Sequence, residues 1–161
     1  MYRKNNLDLD SCMIYTNSDY KYGKMKSLEV IAIANILDYY KIHKFVNFDK
    51  IEQNYFIEKK LGFKTACKTI NKIVKDENLK CKIKKHYYIS FDKIAKNIDE
   101  GFPMLVEYKD LKYGKNTSVI VGYLEEAEDR KIKILTGRDL DSEVLMPWDK
   151  ECIKKVCTVC I

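Results

Sequence analysis

The chain is read as an α+β domain, a helical first half packed on an antiparallel sheet from the second half. Three observations lead there. The stretch Gly23–Tyr40 (GKMKSLEVIAIANILDYY) carries a long apolar helix. Helical spacing of apolar residues, broken by one alternating segment, then runs on to Gly101. After Gly101 the character changes to short runs such as PMLVEY, VIVGY and KIKIL, rich in the residues that pleated strands favour.

Taken in order, residues 1–22 have little periodicity and read as an irregular or short-strand arm. Asp8, Asp10, Asn17 and Asp19 are too loosely spaced for a calcium loop, which also needs a central Gly and a closing Glu. Ser27 suits a helix N-cap, its hydroxyl accepting from the amide of Val30, with Glu29 at the positive end of the dipole. Val30, Ile31, Ala32, Ile33, Ala34, Ile36 and Leu37 make that helix apolar nearly all round, so it belongs in the middle of the fold. A second helix is expected over Phe48–Lys60, capped by Asn47 and ended by Gly62, and a third over Ala66–Glu77, opened by Thr65. Leu79–Tyr88 alternates like a strand, and Ser90 caps a short helix over Phe91–Asp99. Pro103–Tyr108, Val119–Tyr123 and Lys131–Leu135 read as strands, with a turn at Lys109–Lys115 and a charged loop at Glu125–Arg130. A helical turn near Asp149–Lys154 precedes an extended end, VCTVCI.

At 161 residues, 46% hydrophobic and 34% charged, the sequence predicts one folded domain spanning residues 1–161. No apolar run reaches the roughly 18 residues that span a bilayer, and the start lacks a signal-peptide core, so a cytoplasmic protein is expected. The net charge of +6 raises the question of nucleic acid. The lysines are scattered, however, and the densest run, Lys80–His86, alternates like the solvated face of a strand, so no nucleic-acid partner is expected. Without a signal peptide, the six cysteines are expected reduced.

The segments SLEVIAIANILDYY, GFKTACKTI, GFPMLVEY and NTSVIVGY followed by KIKIL together resemble the C39-type cysteine peptidases of the papain-like superfamily, over roughly residues 20–155. There the catalytic cysteine opens a buried helix, as in Cys-Gly-x-x-x-Leu-Ala-x-x-Leu-x-Tyr-Tyr. A later strand pair reads Gly-x-Pro-x-x-Val and His-x-Val-Val-x-x-Gly-Tyr, and an Asp-Pro follows. The resemblance implies a papain-like fold and a thiolate favoured by a helix N-terminus, with a histidine base, an orienting aspartate and an oxyanion glutamine. Carried over, the cysteine position falls on Ser27, the following glycine on Leu28 and the glutamine near Lys21. The histidine falls on Asn116, counted back from Gly122-Tyr123, and the Asp-Pro on Thr136-Gly137, with Asp139 the nearest carboxylate. Every catalytic position departs from the pattern. Asparagine is no general base near neutral pH, so Ser27 lacks an activating partner.

Other residues offer chemistry in principle. His43 and His86 are the only histidines, and both read as structural or surface residues. Cys67, near a helix start, is the alternative nucleophile, with His86 its nearest candidate base and Cys12 a lesser option. Cys157-x-x-Cys160, with Cys152 before it, has the spacing of a metal knuckle, but residues three apart on a strand face opposite ways, so no metal is expected. No cofactor motif is present. The expectation is a pseudoenzyme: a C39-like domain that binds a peptide or protein partner in a vestigial cleft around Ser27, Asn116 and Asp139. Degenerate domains of this kind in bacteriocin and toxin exporters hold substrate without cutting it; with no transporter in this sequence, the role would be that of a separate adaptor. The alternative is an active cysteine peptidase or acyltransferase using Cys67.

Overall fold

The computed structural model describes residues 1–19, 27–42, 46–86, 89–110, 114–149 and 151–161. Among them are the helices α1 (Leu28–Tyr39), α2 (Phe48–Tyr55), α3 (Phe63–Asp76) and α4 (Phe91–Asp99). The strands are β1 (Tyr2–Asn6), β2 (Lys82–His86), β3 (Met104–Asp110), β4 (Gly114–Glu126), β5 (Asp129–Leu135), β6 (Glu143–Pro147) and β7 (Ile153–Cys160). The strands form a single antiparallel sheet in the order β2-β7-β3-β4-β5-β6, with β1 added to the far half of β4. Helices before Gly101 and a sheet mostly after it make the expected α+β architecture.

The sheet is covered on both faces. Neighbouring residues of a strand point to opposite sides, and two on β7 mark the sides: the Cys157 sulfur meets Cys67 of α3, while the Thr158 hydroxyl donates to Asn97 of α4. Helices α1 and α2 pack with α3, so three helices share one face and α4 takes the other. In α1, Val30, Ile31, Ile33, Ala34 and Ile36 are completely buried. Even its polar residues point inward, because they hold the arm: Asn35 exchanges hydrogen bonds with the Tyr15 backbone, and Asp38 accepts from the Met13 amide at 2.9 Å.

Several boundaries differ from expectation, each for a local reason. α2 stops at Tyr55, since its buried stripe consists of Ile51 and Tyr55 one turn apart, and Ile57 beyond it is exposed. Gly62 does not end that helix; it is the N-cap of α3, at φ +132°, a conformation side chains other than glycine's resist. α3 therefore opens at Phe63, ahead of Thr65, because Phe63 buries its ring. β4 begins well before Val119, since Asn116, Thr117 and Ser118 lie buried alongside β3. The charged Glu125–Arg130 segment continues β4 and β5, which meet at a turn with Ala127 at φ +53°. β6 is a strand the sequence reading lacked; Val144 and Met146 pack inward from it. Tyr87, Tyr88 and Tyr113 lie outside the described residues. No described helix is long and apolar enough to cross a membrane.

Candidate functional site

The first turn of α1 faces the start of β4. Ser27 has extended backbone (φ −121°, ψ 122°) and its carbonyl accepts from Ile31, so it stands at the N-cap position. The hydroxyl makes no cap bond, contrary to expectation. It donates to Glu29 Oε2 at 2.8 Å, since a charged acceptor two residues on outcompetes a neutral role at the helix end. The other oxygen of Glu29 accepts from the Thr117 hydroxyl at 3.3 Å. Tyr55 closes the group from α2. Its hydroxyl accepts from the Gly62 amide at 2.8 Å, joining the start of α3 to the same corner. The phenol is pushed up to about 12, first by burial and next by the charge of Glu29, while the hydrogen bond from the Gly62 amide pulls the other way. Ser27 and Glu29 are half-buried, and Thr117 is 2% exposed.

Thr117, not Asn116, reaches α1. The register is regular here, Tyr108 opposite Asn116 and Glu107 opposite Thr117, so adjacent side chains alternate. Asn116 thus lies on the α4 face, buried, its amide donating to the Gly114 carbonyl at 2.9 Å. A bulge separates these residues from Gly122-Tyr123. Ile120 pairs with Ile134 and Gly122 with Lys133, which leaves Val121 as the extra residue. Beyond it the odd-numbered residues change sides: the Tyr123 hydroxyl donates to Asp99 of α4 at 2.9 Å.

The loop after β5 also meets α1. The Thr136 hydroxyl donates to the Asp141 carbonyl and accepts from the Arg138 amide at 3.1 Å, so it is spent on the loop itself. Gly137, at φ +75°, lies so close to the helix that a β-carbon would sit 3.0 Å from Ile31 Cγ2. Asp139 accepts from the Ser18 amide at 2.7 Å, and the Gly137 carbonyl accepts from Asn17, which pins the arm beside the site. Lys21 and His43 lie outside the described residues.

The alternative nucleophile is sealed. Cys67 is 3% exposed and donates to Cys157 Sγ at 3.3 Å. That bond, then burial, raises its thiol far above the usual range. His86 sits across the sheet from it, with Nε2 2.7 Å from the Thr158 hydroxyl, and burial lowers its pKa. Cys12 is half-buried with its thiol raised by burial; Cys152 donates to Asp149 at 3.3 Å, and Cys160 pairs in register with Lys82. No group of three or more metal-binding side chains occurs among the described residues.

Among solved structures, the fold is similar to that of a C39-like peptidase from Bacillus anthracis: TM-score 0.65 at 11% identity, covering 98% of each chain. It is also similar to the peptidase domain of Streptococcus ComA, a bifunctional ABC transporter involved in quorum sensing: TM-score 0.57 at 9% identity, over 83% of this chain and 89% of that one. No protein-family model and no curated protein matches the sequence. The fold is that of C39-like peptidase domains.

Proposed function

We propose that this chain is a non-catalytic domain of C39-like fold that binds a peptide or protein partner in the cleft between the first turn of α1 and the start of β4. One observation carries the reading. Where the C39 pattern calls for a cysteine at the head of the buried helix and a histidine on the facing strand, Ser27 and Thr117 stand, both hydrogen-bonded to Glu29. An alcohol held by a carboxylate and a second alcohol has no imidazole to take its proton and return it to a leaving group. Ser27 and Glu29, both half-buried, can offer a hydroxyl and a carboxylate to a peptide, with Thr117 buried behind them. Neither half of the C39 pair is present, whether Asn116 or Thr117 takes the histidine position.

Incubation with a fluorophosphonate and, separately, iodoacetamide tests the absence of catalysis. The expected result is no stoichiometric labelling at Ser27, Cys67 or Cys12; full labelling at any of them under native conditions would sink the proposal. A second experiment fixes the register. Ser27→Cys combined with Thr117→His is expected to lower the pH at which the new thiol alkylates. Ser27→Cys combined with Asn116→His is not, because the imidazole would lie on the far face of the sheet. If the Asn116 pair is the reactive one, the assignment of Thr117 is wrong.

A further inference from the structure

A basic cavity lies on the same face of the sheet as the Ser27 cleft. Its volume is about 400 Å³, and its walls include Phe63, Lys64, Lys85, Lys154, Lys155 and Cys157. Four lysines from α3, β2 and β7 converge there, and no carboxylate lines it. The backbone arranges this. Lys85 is in register with Cys157, and Lys155 with Glu107. A bulge then leaves Lys154 unpaired between Lys155 and Ile153, so two consecutive lysines line one cavity, which regular alternation would forbid.

Gathering like charges costs energy unless something offsets it. Among the described residues, Lys64, Lys85 and Lys154 make no ion pair, and Lys155 meets only Glu107, at 3.6 Å. The start of α3 adds to the field, with Gly62 at the N-cap, no side-chain cap bond and no acidic residue in its first turn. Phe63 and Cys157 provide an apolar floor.

Beneath the surface, one row of side chains links the cavity wall to the Ser27 corner. Lys155 pairs with Glu107, Glu107 stands opposite Thr117, and Thr117 bonds Glu29. Lys155 and Thr117 are two strand spacings apart, roughly 10 Å, which about three residues of extended peptide span.

We infer that the cavity seats an acidic side chain of the bound peptide, held by Lys64, Lys85, Lys154 and Lys155, about three residues from the segment over Ser27. This rests on the peptide-binding reading above and adds a charge and a position to it. A peptide is favoured over nucleic acid because the unpaired lysines are gathered in one concave site beside the cleft, whereas a nucleic-acid path needs an extended stripe.

The test pans displayed random 12-residue peptides on the wild-type protein and on a Lys64→Glu, Lys154→Glu variant, whose two sites are exposed and whose fold is checked by circular dichroism. Enriched peptides are resynthesised with Asp and Glu, or with Asn and Gln, at the same positions. The expected result is enrichment of one acidic position on the wild type, at least tenfold weaker binding of the amide versions, and loss of that difference in the variant. Peptides enriched without an acidic position, or bound equally by the variant, would overturn the cavity assignment and leave the cleft reading standing. If no peptide is enriched, the cleft reading fails and the assignment with it; salt-sensitive binding of a poly-dT oligonucleotide lost in the variant would then make the cavity a phosphate site.

Discussion

Glu29 and Glu125 serve opposite faces of one sheet, and they are held in opposite ways. Glu125, with its side chain 3% exposed, accepts from Arg3 Nε at 2.5 Å and from Arg130 Nε at 2.8 Å. Arg3 reaches on to Asp92 of α4 at 2.9 Å, and Arg130 lies 5.2 Å over the Phe91 ring. Every charge there has a partner, and the cluster ties β1, β4 and α4 together. Glu29 is half-buried at the cleft and has two hydroxyls for company, with no cation on it among the described residues. The first arrangement is complete without a ligand. The second leaves a half-buried carboxylate held by neutral groups alone, and the proposed binding role rests on that difference.

The comparison is broken most severely through the scaffold both faces share. Ile33→Ala, at a position with 0% exposure in the centre of α1, is expected to cost about 2–5 kcal/mol in urea unfolding. Peptide binding at the cleft should fall with it, because α1 carries Ser27 and Glu29.

Glu125→Gln comes next, since it leaves two guanidiniums facing a neutral group. At pH 7 it should lower the urea midpoint more than Glu29→Gln does; the reverse order would mean the two acids have been assigned the wrong roles. The pH dependence follows from the direction of the shift. The guanidiniums, Arg3 first, hold the Glu125 carboxyl below its ordinary value. Its contribution is therefore complete above the unfolded value of about 4.3 and fades as pH falls through the lower folded one. Wild type and Glu125→Gln should converge in stability as the pH is taken from 6 to 3.

Smaller effects sharpen the picture of the cleft. Tyr55→Phe strips the Gly62 amide of its acceptor and should cost about 0.5–1.5 kcal/mol, read as a shift in urea midpoint. Ser27→Ala should cost less than the roughly 1 kcal/mol typical of losing a side-chain N-cap, because the hydroxyl bonds Glu29 and not the helix amides. A loss of about 1–2 kcal/mol would restore the capping role.

Much of the scaffold was legible in the residues. The solid run of apolar side chains in α1 predicts a helix buried on all sides, and α1 is that helix. Asn47 and Ser90 cap as their chemistry predicts, each accepting from the amide three residues on. The alternating β-branched runs after Gly101 became β3, β4, β5 and β7. Boundaries were less legible, because a helix or strand continues only while something covers it. Ile57 is as apolar as Ile51, yet nothing packs on it. That Thr117 and not Asn116 faces α1 was not legible, because the register of β4 and its bulge at Val121 leave no mark on composition. That Lys154 and Lys155 line one cavity was not legible either, because a second bulge brings them together there.

The sequence by itself determined the class of fold, the buried helix at its centre and the absence of a cysteine at that helix's head, because apolar periodicity and residue identity are local properties. Which polar groups meet is not local. A strand exposes alternate residues to alternate faces, so a single inserted residue decides whether Asn116 or Thr117 looks at Ser27. Only the assembled sheet, with its bulges and its helices on two faces, decided that Glu29 holds Ser27 to Thr117 and that four lysines share one cavity.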